Sequence, residues 1–99
     1  MEKTKLFIKC QNELINIQDD FNLRWLAVID ESSAHSEDTN AARFKKTYDR
    51  SIVRLLQYRE MIIMLKNTGI MTYNEFRLLN INCDGLFNII HQRYIAAKD

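Results

Sequence analysis

Hydrophobic residues in the first 30 positions recur at alternating spacings of three and four. This spacing places them on one face of an α-helix, which has 3.6 residues per turn. After Ile29 the polar run Asp30-Glu31-Ser32-Ser33 ends the pattern. The hydrophobic row consists of Phe7, Cys10, Leu14, Ile17, Phe21, Trp25 and Val28. The sequence therefore predicts a helix over residues 3–31 that buries this row.

A second segment with the same period follows the polar stretch 32–38. Its apolar row consists of Phe44, Tyr48, Ile52, Leu55, Ile62 and Leu65. Thr39 or Asn40 is the expected N-cap, because either side-chain oxygen can accept a hydrogen bond from a free backbone N–H. Gly69 is the expected terminator, since glycine adopts the left-handed conformation that ends many helices. The pattern predicts a helix over residues 40–67.

A third helix is predicted over residues 72–97. Thr72 and Glu75 have the spacing of a capping box, in which each side chain bonds the other residue's backbone N–H. The row that follows keeps its phase through Gly85, although glycine costs a helix about 1 kcal/mol relative to alanine. Its members are Phe76, Leu79, Cys83, Leu86, Ile90 and Tyr94. The alternative is a break at Asn80–Gly85, which would give four helices.

These segments predict an all-α fold, an elongated antiparallel three-helix bundle that forms one domain over residues 1–99. The chain has no proline and only two glycines. A β-sandwich or barrel needs many turns rich in these residues, and a phosphate-binding loop needs several glycines. Both classes are therefore excluded. The short connections favour antiparallel neighbours.

The chain carries more apolar residues than one core stripe per helix requires. The extra residues form rows on the first and third helices: Ile8, Ile15 and Ile29, and then Leu78, Ile81 and Ile89. One interpretation is a wide core with single exposed apolar residues, which folded proteins tolerate. The other is a second interface, formed with another copy or with a partner protein. The arrangement in rows favours the second interpretation.

A stripe of basic residues on the second helix is the main charged feature. The basic stripe consists of Arg43, Lys46, Arg50 and Arg54, at spacings that align them on one face. Such a face can follow nucleic-acid phosphates. It can also be neutralised internally, because an antiparallel first helix brings Asp20 level with Arg50 and Glu31 near the start of the second helix. We favour neutralisation.

No catalytic, cofactor-binding or metal site is predicted. His35 lies among loop carboxylates, but no spacing of histidines or cysteines defines a metal geometry. His91 lies just off the core row of the third helix and is expected at the surface. Cys10 and Cys83 lie on core rows, where cysteine behaves as a small apolar residue.

The remaining features bear on compartment and role. The net charge is +1, and no apolar run approaches the ~20 residues of a membrane span. Without a signal-like segment, and with two widely separated cysteines, we expect a cytoplasmic protein. Twelve isoleucines and nine asparagines suggest an AT-rich source such as a phage or mobile element. The sequence predicts a non-enzymatic, self-associating protein–protein interaction module with a regulatory, inhibitor or immunity-type role. The alternative is a nucleic-acid-associated accessory protein that uses the basic stripe.

Overall fold

A computed structural model describes residues 2–98 of the chain, with side chains from residue 5 onward. These residues form three α-helices, α1 (Glu2–Asp30), α2 (Glu37–Asn67) and α3 (Tyr73–Lys98). A 3₁₀ turn at Ser32–Ala34 lies between α1 and α2. The bundle measures 51 × 19 × 15 Å, so it is elongated as predicted. The described part of the chain is the all-α three-helix bundle that the sequence predicts.

The start of α2 differs from the prediction. Ser36, rather than Thr39 or Asn40, is the N-cap, and its hydroxyl accepts a hydrogen bond from the Thr39 backbone N–H at 3.2 Å. Glu37 and Asp38 then occupy the first turn, where negative charge complements the helix dipole. Asn40 instead anchors the preceding turn by donating to the Ser32 carbonyl at 2.9 Å. The predicted loop is therefore shorter than its polar composition suggested.

The other helix ends follow the sequence signals. Gly69 has a φ of 76°, the left-handed conformation expected after α2. The capping box of α3 is formed, because Thr72 N–H donates to Glu75 at 3.0 Å and Glu75 N–H donates to the Thr72 hydroxyl at 3.2 Å. The helix runs through Gly85 without interruption, so the alternative of a break at Asn80–Gly85 is wrong.

Contacts between helices fix the topology. Glu31, the residue after α1, pairs with Arg43 near the start of α2, and Glu13, in the first half of α1, pairs with Arg54 farther along α2. These two helices are therefore antiparallel. Arg93 of α3 donates to the Asn22 side chain of α1 at 2.6 Å, 71 positions earlier in the chain. Because α3 reverses direction again, α1 and α3 run parallel at this offset.

The cores of α1 and α3 are those that their periodicity predicts. Six of the seven predicted α1 residues are buried, and Phe7 at the end is partly buried. In α3, Leu79, Cys83, Leu86 and Ile90 are buried between the partly buried Phe76 and Tyr94. The two rows pack on α2 from either side, so one hydrophobic cluster runs along most of the bundle.

The predicted core row of α2 is only partly right, because Leu55 and Ile62 are buried while Phe44, Tyr48, Ile52 and Leu65 are partly buried against the core. The buried residues of this helix are Thr47, Ser51, Leu55, Tyr58 and Ile62. Thr47 and Ser51 are polar, so a search for apolar residues passes over them and selects the partly buried Phe44, Tyr48 and Ile52 on either side. The small side chains of Thr47 and Ser51 occupy the line of α2 that faces both neighbouring helices. Ser51 is only 1% exposed.

Tyr58 is also buried, although it lies outside the predicted core row of α2. Its ring is buried between α1 and α2, and its hydroxyl donates to the Cys10 carbonyl at 2.9 Å. Burial raises the pKa of this phenol well above its usual range. A tyrosine fits this site because the ring fills the core while its hydroxyl has a partner.

Candidate interaction surface

Ion pairs lie along the seam where α1 packs against α2. Arg43 bonds Glu31 at 2.5 Å, Arg50 lies 3.4 Å from Asp20, and Arg54 lies 3.2 Å from the same carboxylate. Glu13 lies 3.5 Å from Arg54 on its other side. Three of the four residues in the basic stripe thus face carboxylates of α1 or of Glu31, the residue that follows it. Lys46 is exposed, and no carboxylate among the described residues forms an ion pair with it.

Asp20 is the hub of this arrangement. Its carboxylate accepts a hydrogen bond from Arg24 one turn along α1 and another from Arg50 across the seam. Partial burial acts to raise the pKa of Asp20, but the hydrogen bonds and positive charges of Arg24 and Arg50 outweigh it. The pKa of Asp20 therefore lies below its ordinary value, and the carboxylate stays charged at neutral pH.

The seam between α2 and α3 is closed by aromatic and charged contacts. Tyr48 stacks on Tyr94 with ring centroids 4.3 Å apart, and its hydroxyl lies 3.0 Å from Nδ1 of His91. Farther along, Arg59 bonds Asp84 and lies over the Phe87 ring. His91 is at the surface, as expected from the sequence.

The seam between α1 and α3 lacks ionisable side chains at its middle. At its middle lies a shallow groove of about 420 Å³ whose lining contains no ionisable side chain. Ile15 of α1 and Ile89 of α3 stand on its rims, about half exposed. The remaining lining is Gln11, Asn12, Leu14, Gln18, Asn82, Gly85 and Leu86. Apolar and amide groups here meet solvent where the other seams carry charge.

The groove belongs to a longer apolar surface. Ile8 lies two helical turns before Ile15, and Leu78 lies two turns before Gly85, so both share the same helix faces. We call this surface the α1/α3 face. It consists of Ile8, Ile15, Leu78, Ile81, Gly85 and Ile89, and its five large side chains are all exposed. The structure therefore brings Ile15 and Ile89 of the predicted apolar rows to one groove, and helical spacing places Ile8, Leu78 and Ile81 on the helix faces that continue it.

Ile29, the sixth predicted residue, lies farther along the bundle. It lines a separate groove with Leu26, Ala96 and Ala97, beyond the hydrogen bond between Asn22 and Arg93. Sequence reasoning missed Leu26 because it follows the core residue Trp25. Its spacing of three from Ile29 was the available signal.

Gly85 has no role in the packing of the bundle itself. Its φ is not positive, and a Cβ built on it would meet nothing within 4 Å. A mid-helix glycine is unfavourable, so this fold would be more stable with alanine there. Gly85 leaves a flat, open point in the middle of the α1/α3 face.

The cysteines and the residue types that bind metals are the remaining reactive groups. Cys10 and Cys83 are free and buried, and burial raises the pKa of each thiol. Among residues 2–98, no three histidine, cysteine, aspartate or glutamate side chains are placed to hold a metal ion. None of the helices described is both long and apolar enough to cross a membrane. No protein family, curated protein or solved structure matches the chain.

Proposed function

We propose that this chain is a non-enzymatic protein–protein interaction module that self-associates through the α1/α3 face. The observation that carries the proposal is a groove between α1 and α3 that no ionisable side chain lines and that exposed isoleucines border, on a bundle whose other two seams carry ion pairs. Soluble proteins seldom expose such contiguous apolar surface unless something binds it. A regulatory, inhibitor or immunity-type role follows if the paired surface controls access of a further protein.

The absence of charge in the middle of the face supports a second copy as its occupant. In a two-fold dimer the same patch contributes to both sides, so any charge near the axis meets its own like charge. Ile15, Ile89 and the amides of Asn12 and Asn82 avoid that cost. Amides can also pair with each other, because each has both a donor and an acceptor.

The size of the face agrees with a modest dimer interface. Two helices, each about 10 Å across and contributing about 20 residues at 1.5 Å per residue, present about 600 Å² on each copy. Two copies would bury about 1,200 Å², the lower end of the range for specific interfaces. We therefore expect a dimer that dissociates on dilution.

Nucleic-acid binding through the basic stripe has less support. Arg43, Arg50 and Arg54 would have to exchange carboxylate partners within the bundle for phosphates. Lys46 and the neighbouring Lys45 are exposed, but Lys45 already pairs with Asp49 at 2.7 Å. We do not propose this function.

The experiment that tests the proposal replaces two isoleucines of the face with glutamate. Ile15→Glu with Ile89→Glu puts four charges into the interface of the dimer, and burying an unpaired charge is costly. We expect the dimer dissociation constant, measured by sedimentation, to rise at least about 100-fold. Circular dichroism should remain that of a helical bundle, because both side chains are exposed.

A matched control comes from α2. Val53 and Leu56 are 52% and 48% exposed, against 51% and 47% for Ile15 and Ile89, but they lie outside the face. Val53→Glu with Leu56→Glu should leave the dissociation constant within about threefold of wild type. A wild type that stays monomeric at high concentration, or equal weakening by both double variants, would contradict the proposal.

A further inference from the structure

The proposed function leaves the geometry of the dimer open, and the α1/α3 face itself specifies one. Because α1 and α3 are parallel, two copies can pair with their helices parallel or antiparallel. An antiparallel pair lays α1 on α1 and α3 on α3 of the second copy. A parallel pair lays α1 on α3. The two arrangements bring different residues together.

Positions along the bundle can be matched between the two helices. Arg93 bonds Asn22 at an offset of 71 positions, and the central groove joins Asn12 and Ile15 to Asn82 and Leu86 at nearly the same offset. Asn12 of α1 is therefore level with Cys83 of α3. Consider a two-fold axis that lies in the plane of the face and runs across both helices at this level. It relates residues that lie equally far on either side of this level along each helix.

On α1, two independent pairs are centred at that level. Ile8 and Ile15 lie on either side of this level, so Ile8 of one copy would meet Ile15 of the second copy. Lys5 and Asp19 are centred on Asn12 and lie on the outer edge of α1, where both are exposed. Neither forms an ion pair with the described part of the chain. Across an antiparallel dimer they have opposite charges.

On α3, two further pairs have the same centre. Leu78 and Ile89 are centred between Cys83 and Asp84, and Ile81 and Gly85 are centred on Cys83. An antiparallel dimer thus places the Ile81 side chain of one copy opposite Gly85 of the other. The open point at Gly85, which the monomer does not use, then receives a side chain.

We infer that the chain forms an antiparallel two-fold dimer whose axis crosses the α1/α3 face at Asn12 and Cys83. In this dimer Ile8 contacts Ile15, Ile81 packs over Gly85 and Lys5 pairs with Asp19, each between copies. A parallel dimer would instead bring Lys5 level with Phe76 of the second copy, beside Arg77, where two positive charges face each other. Ile29 lies outside the antiparallel overlap.

Spin-label distances in the full chain test this geometry. Leu23 and Leu26 are exposed on α1 beyond the overlap, so Leu23→Cys and Leu26→Cys can each carry a label. With a rise of 1.5 Å per residue, the antiparallel dimer predicts label separations of about 33 Å at residue 23 and about 42 Å at residue 26. The increase of about 9 Å between the two sites is the signature. Wild type, whose two thiols are buried, is the labelling control.

The outcomes separate the geometry from the proposed function. In a parallel dimer both sites give the same separation, below about 25 Å, because packed helices lie about 10 Å apart. That result would overturn the antiparallel inference and keep self-association. Absence of any intermolecular distance at high protein concentration, with helix content intact, would overturn both.

A charge exchange provides a second test that needs no label. Lys5→Glu and Asp19→Lys each place like charges together twice in the antiparallel dimer, so each should raise the dissociation constant about tenfold at low salt. The variant with both changes restores opposite charges and should return to the wild-type value. Ile29→Glu should have no effect on the dissociation constant. Additive weakening in the Lys5→Glu/Asp19→Lys variant, or weakening by Ile29→Glu, would contradict the register.

Discussion

The α1/α2 seam and the α1/α3 seam share one helix but differ at the protein surface. Along the first, Glu13 and Asp20 of α1, and Glu31 just after it, face arginines of α2. At the middle of the second, Ile15 and Ile89 stand over amides and a glycine. Charged side chains cover the apolar interior at one seam, whereas the other presents apolar side chains to solvent.

This difference assigns separate roles to two features that look similar in the sequence. The basic stripe and the apolar rows are both surplus to a minimal bundle. Arg50 and Arg54 find partners inside the chain, so most of the basic stripe serves the fold. The isoleucines of the α1/α3 face find none there. Unpaired apolar surface is therefore the better guide to a binding partner in this molecule than surplus charge.

The largest effect on folding should come from reversing the charges at the α1/α2 seam. Arg50→Glu with Arg54→Glu turns attraction into repulsion around Glu13 and Asp20. Exposed pairs are worth about 0–1 kcal/mol each, so we expect the free energy of unfolding to fall by about 2 kcal/mol. Urea denaturation at low and high salt measures this loss, and salt should reduce it.

The same double variant tests the nucleic-acid alternative. Lys9→Glu with Arg77→Glu is the control, because it makes the same change in net charge at two exposed positions outside the basic stripe. Wild type should give no gel shift at physiological salt. A shift whose log–log salt slope is about −3 to −4, lost on reversing Arg50 and Arg54, would mean that the stripe binds phosphates.

Tyr58→Phe should have the next largest effect. It removes the hydroxyl that donates to the Cys10 carbonyl within the α1/α2 seam. A hydrogen bond of this kind contributes about 1 kcal/mol, and we expect that loss in the free energy of unfolding. Tyr73→Phe is the control, since Tyr73 is exposed at the start of α3. Equal urea midpoints for the two variants would show that the Tyr58 hydroxyl does not stabilise the seam.

The sequence predicted the parts of this fold that follow one simple period. The rows from Phe7 to Val28 and from Phe76 to Tyr94 are apolar throughout, and all their members except Phe7, Phe76 and Tyr94 are buried. α2 lies against both other helices, and the line between its two contact surfaces uses Thr47 and Ser51. Hydrophobic periodicity cannot find such positions, because side-chain size rather than polarity determines them.

The sequence predicted which residues belong to the candidate site but not how the fold arranges them. Periodicity identified Ile8, Ile15 and Ile89 as surplus to the core, and all three are exposed. It could not show which residues of α1 and α3 lie level with each other, which depends on how the helices pack. The role of Gly85 also required the structure, since a glycine in a helix can serve close packing, a bend or a partner.

A smaller effect distinguishes the two glycines. In the monomeric Ile15→Glu/Ile89→Glu background, Gly85→Ala should raise the free energy of unfolding by about 0.5–1 kcal/mol, because alanine favours helix and the added Cβ meets nothing. Gly69→Ala should lower it by about the same amount or more, since its φ of 76° strains any Cβ. A loss of stability in Gly85→Ala would mean that the monomer fold itself requires this glycine.

The smallest predicted effect is a pH dependence at the α1/α2 seam. The pKa of Asp20 is lower in the folded chain than its unfolded value of about 3.9, because Arg24 and Arg50 favour its charged form. The stabilisation is therefore complete above the unfolded pKa and is lost as the pH falls through the folded pKa. The free energy of unfolding, measured by urea denaturation between pH 5.5 and 2.5, should fall more for wild type than for Asp20→Asn, by less than about 1 kcal/mol. Asp19→Asn, which removes the exposed neighbouring carboxylate, is the control. Added to the monomeric Ile15→Glu/Ile89→Glu background, it should leave the pH dependence of the free energy of unfolding unchanged. If Asp20→Asn and wild type lost stability in parallel, the carboxylate would not be the hub of the seam, and the contrast between the two seams would rest on the apolar face alone.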